Sequence, residues 1–160
     1  DGVPRVDSAT LDALHTQFAG ISGVQAVAGS WAVPAPSNHL NSGVHRRDQV
    51  DRPDVSLALL PVDFGFFDLY RLGLIAGRDF ARDHAEDNAQ TTAPSAINSA
   101  IINDSAVRAL GFTDAAAAIG QDAVMGSTAF RIIGVAPDFP LDSVRQKVPP
   151  SIFFVSPDLF

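Results

Sequence analysis

The sequence predicts an α+β fold with a mixed, mostly antiparallel sheet and short helices. Three observations support this prediction. Segments with helical spacing of apolar residues are short, strand-like apolar runs alternate with them irregularly, and one pair of runs is joined by a hairpin signal. With 160 residues, 46% of them hydrophobic and 18% charged, the chain is expected to fold as one domain with a sizeable core.

The N-terminal region predicts a helix followed by a strand. Apolar residues within 8–23 recur at helical spacing and form one stripe, which consists of Leu11, Leu14, Phe18 and Ile21. Ser8 is the expected N-cap, and Gly20 or Gly23 ends the helix, so we expect an amphipathic helix that packs on a core. VQAVAGSWAVP, residues 24–34, then predicts a strand.

The middle of the chain predicts a long polar loop and then a strand–helix unit. Residues 35–53 are rich in Pro, Ser, Asn, His, Arg and Asp and are expected to form a loop that is either mobile or an insertion between lobes. DVSLALLPVD, residues 54–63, predicts a strand, and FGFFDLYRL predicts a short helix that stops before Gly73. Asp63 occupies the position expected for the N-cap of this helix.

A second polar stretch, residues 82–95, precedes a unit with clear boundaries. A strand at 100–102 leads to Asn103, which is expected to cap a helix that ends at Gly111. Thr113 is expected to cap a second short helix.

The last part of the chain predicts a hairpin and one more strand. Gly126 and Ser127 mark a turn within DAVMGSTAFRIIGVAPDF, whose two halves read as strands. SIFFVSP, residues 151–157, reads as the final strand, and the resulting order of elements is mixed.

Charge and composition exclude several kinds of partner and site. A net charge of -7 and a pI near 4.7 oppose a surface for nucleic acid or anionic lipid, which are held mainly by clustered Lys and Arg. The chain has no cysteine, which excludes disulfides and thiolate sites. It has no apolar run of about 18 residues and does not begin with Met, so we expect a piece of a longer protein.

The tripeptide Asp63-Phe64-Gly65 and the upstream HRRD at 45–48 raise the question of a kinase-like site. Kinases use a DFG aspartate to hold magnesium and an HRD aspartate as base, but they also need a Gly-rich loop and a strand lysine before the catalytic loop. The only lysine is Lys147, far downstream, and 44 residues precede His45. The nucleotide-binding lobe is missing, so Asp63 is better interpreted as a helix cap.

No other catalytic, cofactor or metal site is predicted. The chain contains neither the G-x-S-x-G of a nucleophile elbow nor a Gly-rich phosphate loop. A metal site on the polar loop would need to bring together His39, His45, Asp48 and Asp51. Loop residues at these separations specify no geometry, so we expect a solvated loop.

Two further groups have an ordinary structural interpretation. Asp83, Glu86 and Asp87 lack the alternating spacing of a calcium loop and are expected to form a solvated acidic turn. Abundant phenylalanines suggest an aromatic ligand pocket, but their positions at the starts of strands and helices favour core packing. These residues are Phe64, Phe66, Phe67, Phe80, Phe112, Phe130, Phe139, Phe153 and Phe154.

Six motifs in a fixed order resemble the periplasmic core domain of MacB-like and FtsX-like ABC transporter permeases. They are an aspartate before a paired-Phe helix, AGR-x-F, a strand ending in Asn before an Ala-Leu-Gly helix, an IG-(K/Q) turn, a GV-x-x-D-F hairpin and a Pro-rich strand entry. Here they read VDFGFFDLYRLGLIAGRDF, SAIINDSAVRALGF, AAIGQ and FRIIGVAPDFPLDSVRQKVPPSIFFVSP. The match covers about residues 54–157, and residues 8–34 resemble the first helix and strand of the family.

The resemblance implies a two-lobed fold, in which a second, Sabre-like lobe interrupts a porter-like lobe. Residues 1–160 would form a single extracytoplasmic core domain. Residues 1–53, with the polar loop 35–53, would belong to the porter-like lobe, and residues 54–160 to the Sabre-like lobe. Family members continue with another strand-helix-strand unit, so we expect an incomplete porter-like lobe with an unpaired strand edge that could associate with another copy.

The function that the resemblance implies is transport without catalysis. The domain would lie on the bacterial inner (cytoplasmic) membrane, facing the periplasm or cell exterior, and relay ATP-driven conformational change to export or to lipoprotein, peptide or drug traffic. The expected partners are its own transmembrane helices, a cytoplasmic ATPase subunit or domain, a second permease copy and a periplasmic adaptor; neither nucleic acid nor a cofactor is expected. The alternative is an extracytoplasmic ligand-binding or sensor domain.

Overall fold

The computed structural model describes residues 8–29, 40–88, 97–140 and 147–156. Four α-helices and seven strands lie within these ranges. In chain order they are α1 (Ser8–Ala19), β1 (Asn41–Arg46), β2 (Val55–Val62), α2 (Phe66–Leu69), β3 (Ala76–Gly77), β4 (Asn98–Asn103), α3 (Asp104–Ala109), α4 (Ala115–Ala118), β5 (Asp122–Met125), β6 (Thr128–Ala136) and β7 (Ser151–Val155), with a 3-10 turn at Ala85–Asp87. None of the helices in these ranges is long and apolar enough to cross a bilayer.

The strands form one sheet that closes into a six-stranded barrel. The order around the barrel is β6-β4-β7-β2-β1-β5, and a pairing of β5 with β6 closes it. The short strand β3 pairs with β6 beyond the end of β5, so β3 and β5 share one edge of this long strand. Strand pairs β2–β7 and β4–β6 are parallel and the other pairs are antiparallel. This arrangement confirms the predicted mixed, mostly antiparallel α+β fold.

The sheet is buried on both faces at β4 and β7. Neighbouring residues on a strand point to opposite faces, so Ile102 packs with the α3 and α4 side while Ile101 packs with the α2 side. Phe154 and Phe153 on β7 divide in the same way. Strands buried on both faces read as continuous apolar runs, which is why β4 and β7 were predictable from their sequences.

Strand β1 lies within the segment that was expected to be a polar loop. Its sequence, NSGVHR, contains one fully buried apolar residue, Val44, and so lacks a strand pattern. Backbone hydrogen bonds to β2 on one side and β5 on the other nevertheless hold it in the barrel. The loop prediction for residues 35–53 is therefore wrong at Asn41–Arg46, while residues 35–39 lie outside the described ranges.

The N-cap of α3 is the residue predicted from the sequence, whereas the N-cap of α4 is not. Asn103 caps α3 as predicted, because its Oδ1 accepts the N–H of Ala106 at 2.9 Å. Helix α4 is capped by Asp114, whose Oδ1 accepts the N–H of Ala117 at 2.8 Å, and not by Thr113. A carboxylate and a hydroxyl are both suitable caps, so adjacent candidates cannot be separated by residue type alone.

The AGRDF segment holds β3 against β6. Gly77 faces Gly134 across the pair and has φ of 79°. A Cβ at Gly77 would collide with the Ile133 carbonyl oxygen and lie 2.8 Å from the Gly134 Cα. This close approach is the physical reason for a glycine in the motif.

Two lobes are not seen in the described ranges. Strand β1, which precedes the predicted boundary between residues 53 and 54, pairs with β2, which follows it. The described residues after 40 thus belong to one barrel. The division of the chain into a porter-like and a Sabre-like lobe stays a prediction.

Candidate interaction surface

Asp63 follows β2 and organises the turn that leads into α2. Its Oδ1 accepts the N–H of Phe64 at 2.7 Å, and its carbonyl oxygen accepts the N–H of Phe66 at 3.2 Å. The N-cap of α2 is Gly65, with φ of 79° and no side-chain cap. The prediction that Asp63 is the N-cap is therefore wrong by two positions, because the chain makes one more turn before the helix begins.

The same aspartate also contacts the N-terminal region. Its Oδ2 lies 2.9 Å from Nε2 of His15 in α1, and its backbone N–H donates to the carbonyl oxygen of Gly29 at 3.1 Å. The Arg82 guanidinium lies 3.9 Å from Oδ1 and over the Phe64 ring, 4.7 Å from its centroid. Asp63 therefore joins the end of a barrel strand to α1.

The HRRD segment lies at the other end of β2 from Asp63. Strands β1 and β2 are antiparallel, so the residues after β1 lie beside the start of β2, whose eight residues span about 26 Å. Arg46 binds Asp48 through Nε (2.9 Å) and Nη2 (2.6 Å), and its hydrogen bond lowers the pKa of Asp48 from the ordinary value. Asp48 and Asp63 are thus too far apart to form one phosphoryl-transfer site.

The histidines in the described ranges pair with carboxylates and do not converge. Nδ1 of His45 lies 2.9 Å from Oδ1 of Asp54, while Asp48 binds Arg46. His39, the other histidine considered for a metal site, lies outside the described ranges. Within those ranges, no three His, Asp or Glu side chains are grouped so as to hold a metal ion.

The acidic turn is solvated only in part. Asp87 is 1% exposed and accepts two hydrogen bonds from Arg78, at 2.6 and 3.0 Å, and one from the N–H of Ala81 at 2.8 Å. Burial alone would raise the pKa of Asp87, but the hydrogen bonds, chiefly those from Arg78, lower it below its ordinary value. The expected solvated turn is wrong for Asp87, whose partner is the arginine of the AGR-x-F motif.

The phenylalanines belong to the core, as predicted. Rings of Phe66, Phe80 and Phe153 surround Phe67, with centroid distances of 5.4, 6.3 and 5.2 Å. Seven of the nine candidates are buried, namely Phe66, Phe67, Phe80, Phe112, Phe130, Phe153 and Phe154.

The apolar face of α1 is exposed, contrary to the expectation that it packs on a core. Leu14, Phe18 and Ile21 expose 37%, 48% and 52% of their surface. Neither cluster of buried core residues contains a described residue from 8–29, which we call the α1 region. Exposed apolar side chains that lie together on one face are typical of an interaction surface.

The surface continues into residues 24–29, which were expected to form a strand. Residues 24–29 belong to no strand, and residues 30–34 lie outside the described ranges. In the described part of the chain, residues 25–28 make no backbone hydrogen bond. A groove of about 710 Å³ lies between residues 23–27 and α2, and the α2 side of it is formed by Gly65, Asp68, Leu69 and Arg71.

Comparison with known proteins identifies the fold. No sequence-family model and no curated protein sequence matches the chain. The periplasmic region of MacB from Actinobacillus actinomycetemcomitans matches with a TM-score of 0.57 and 17% identity, over 90% of this chain and 54% of that chain. The extracellular domain of the noncanonic ABC-type transporter YknZ from Gram-positive bacteria matches with a TM-score of 0.56 and 16% identity, over 88% and 59%.

A third solved structure agrees with these two. A domain assigned to a permease from Porphyromonas gingivalis matches with a TM-score of 0.53 and 20% identity, over 85% of this chain and 52% of that chain. The chain therefore spans between 52% and 59% of the length of the three matched structures. The predicted resemblance is confirmed at the level of the fold, which is that of the periplasmic or extracellular domains of MacB, YknZ and the permease.

Proposed function

We propose that this chain is a non-catalytic extracytoplasmic domain of an ABC transporter permease, and that it relays ATP-driven movement to export or to lipoprotein, peptide or drug traffic. The observation that carries the proposal is the shared fold, which covers 85–90% of the chain in three domains named for transporters or a permease. The domain would face the periplasm or cell exterior on the inner membrane. No reaction is part of this role.

The contrast between the barrel and the α1 region supports a mechanical role. The barrel is closed by continuous strand pairing, and its strands β4 and β7 are buried on both faces, so it can move as a rigid body. The α1 region exposes its apolar face and meets the end of β2 at Asp63. A relay needs a stiff body and a second part that can change its contacts, and the two regions supply both.

The expected partners follow from this role. They are the transmembrane helices of the same permease, a cytoplasmic ATPase subunit or domain, a second permease copy and a periplasmic adaptor. The α1 region would belong to the porter-like lobe, whose remaining part would cover Leu14, Phe18 and Ile21. The complete gene should then encode apolar segments of about 20 residues on both sides of this chain.

Site-specific labelling tests location and movement together, because the chain has no cysteine of its own. Phe18→Cys places a thiol on the α1 region, and Val50→Cys, at a residue 69% exposed, serves as the barrel control. In intact cells, the Val50→Cys thiol of the full-length permease should react readily with a membrane-impermeant maleimide, and the Phe18→Cys thiol more slowly because the rest of the porter-like lobe would cover it. Only the Phe18→Cys rate should change severalfold when the ATPase is trapped with nucleotide.

The labelling results test the extracytoplasmic location and the relay separately. Absence of external labelling at both positions would contradict the extracytoplasmic location. Labelling at both positions, with rates that ignore the nucleotide state, would leave the location intact and contradict the relay.

A ligand-binding or sensor domain is the second candidate, and the groove beside α2 is the observation that favours it. Its volume of about 710 Å³ is within the range of small-molecule sites. Thermal unfolding of the chain with amino acids, peptides and lipids tests this function. A ligand at 100 times its dissociation constant adds about 2.7 kcal/mol, so a true ligand should raise the midpoint clearly.

A further inference from the structure

Asp63, at the end of β2, makes two contacts with the α1 region. Its carboxylate Oδ2 lies 2.9 Å from Nε2 of His15, and its backbone N–H donates to Gly29 at 3.1 Å. These two contacts reach both the helix and the segment that follows it. They lie at a boundary where neither core cluster includes a residue from 8–29.

The barrel fixes the position of the Asp63 carboxylate. The preceding residue, Val62, is 1% exposed and pairs with Val155 of β7. The following N–H, that of Phe64, donates to Oδ1 at 2.7 Å, and the Asp63 side chain is 14% exposed. The carboxylate therefore moves with β2, while His15 moves with α1.

We propose that Asp63 is the positioning residue that docks α1 on the barrel, and that breaking its contact with His15 releases residues 8–29 while the barrel stays folded. The inference rests on the proposed relay and names the joint through which it would act. The contact is partly shielded from water, because the His15 and Asp63 side chains are 22% and 14% exposed, and it acts on a segment that adds no residue to either core cluster. Such a contact is weak enough to be opened by a force applied to the helix.

A second histidine gives a matched control. His45 lies the same 2.9 Å from its carboxylate, Asp54, and the two imidazole side chains have nearly equal exposure, 22% for His15 and 23% for His45. Asp54 and His45 belong to the barrel end opposite Asp63, beside the start of β2. Loss of the His45 contact should therefore leave the α1 region undisturbed.

Hydrogen exchange of the whole 160-residue chain, followed by mass spectrometry, tests the joint. In His15→Ala, amides within 8–29 should exchange about tenfold faster, whereas peptides from β4 and β7 should keep their rates. His15→Gln retains a nitrogen donor near the Nε2 position and should restore protection to within about twofold. Asp63→Ala should have the same local effect, and the double variant should exchange no faster than either single one.

Three results would overturn the inference. One is an unchanged exchange rate of residues 8–29 in His15→Ala; another is the same acceleration in His45→Ala. The third is an equal acceleration in the β4 and β7 peptides, which would mean general destabilisation. Because the test uses the isolated chain, the joint can be confirmed even if nucleotide trapping leaves labelling at position 18 unchanged and the relay is rejected.

Discussion

The barrel and the α1 region use apolar residues in opposite ways. In the barrel, residues such as Ile101 and Ile102 are fully buried on both faces of the sheet. In the α1 region, Phe18 and Ile21 repeat at helical spacing yet are about half exposed. The comparison teaches that apolar spacing shows which face of a helix is suited to burial. It does not show whether the surface that buries this face belongs to the same 160 residues.

The motif residues that suggested the family belong to the barrel side of this comparison. Gly77 allows β3 to approach β6, and Arg78 holds Asp87. Asn103 caps α3 and also accepts the N–H of Ser151 at 2.9 Å, which fixes the start of β7. These residues maintain a scaffold; of the motif residues, Asp63 also contacts the α1 region, which is the part proposed to move.

Two Phe→Ala substitutions, one in α2, which packs on the barrel, and one in α1, should show the largest difference in unfolding free energy. Phe67→Ala removes a ring that is 2% exposed and should cost about 3–5 kcal/mol of unfolding free energy, through lost burial and a cavity. Phe18→Ala removes an exposed ring from α1 and should change the unfolding free energy by less than about 0.5 kcal/mol. Urea denaturation followed by circular dichroism measures both. Equal losses would mean that α1 is packed as firmly as the barrel.

Two Gly→Ala substitutions should give the next largest difference in unfolding free energy. Gly77→Ala forces a Cβ against the Ile133 carbonyl oxygen at φ of 79° and should cost about 3 kcal/mol. Gly73→Ala meets nothing within 4 Å and should change stability by less than about 0.5 kcal/mol. The midpoint of thermal unfolding is a sufficient measurement. A tolerated Gly77→Ala would show that β3 can detach from β6 without loss.

The Asp87 carboxylate gives a pH-dependent test of the barrel. Since the pKa of Asp87 is lowered in the folded state, its ionised form stabilises the fold above the unfolded-state pKa of about 3.9. This contribution should disappear as the pH falls from about 5 through the folded-state pKa. Asp87→Asn should cost about 2 kcal/mol at pH 7 and flatten the dependence of unfolding free energy on pH from about pH 5 downward.

Urea denaturation at several pH values gives the unfolding free energy of Asp87→Asn and of the parent chain for direct comparison. The Arg78 contacts are the chief cause of the lowered pKa, so Glu86→Gln is the control. Glu86 is exposed and lies 3.7 Å from the same guanidinium, and although its own pKa is also lowered, its loss should change the unfolding free energy much less than the loss of Asp87. A parallel pH dependence in Asp87→Asn and the parent chain would contradict the assigned role of Asp87.

The smallest effect on stability is expected from a substitution in residues 25–28, which follow α1. Ala26→Pro removes an N–H that makes no backbone hydrogen bond in the described part of the chain, so stability should change by less than about 0.5 kcal/mol. Ala100→Pro, in the centre of β4, should instead prevent folding because that strand is paired on both sides. Proteolysis of the two variants separates these outcomes.

The sequence predicted the elements that carry a strong local signal, either an apolar run, a cap or a turn. Strands β2, β4 and β7, the Asn103 cap and the β5–β6 hairpin are read from local patterns that agree with the final packing. Strand β1 was missed because its pairing, not its side chains, holds it in place. Local patterns do not contain information about which distant strand lies alongside.

The Asp63 joint could be predicted only in part. Residue type marked Asp63 as a polar group at the end of a strand, and this led to the N-cap prediction. Its contact with His15 joins residues 48 positions apart in sequence, so no spacing rule connects them. The exposed face of α1 was not predictable either, because its spacing is that of any helix packed on a core.

The position of β1 between β2 and β5 has a consequence for biosynthesis. The strand is made early, at residues 41–46, and one of its partners, β5, follows only at 122–125. Until β5 leaves the ribosome, the free edge of β1 can pair with another nascent chain. A chain that lacks the residues before 54 would carry the same hazard permanently, since β2 and β5 would each lose a neighbour.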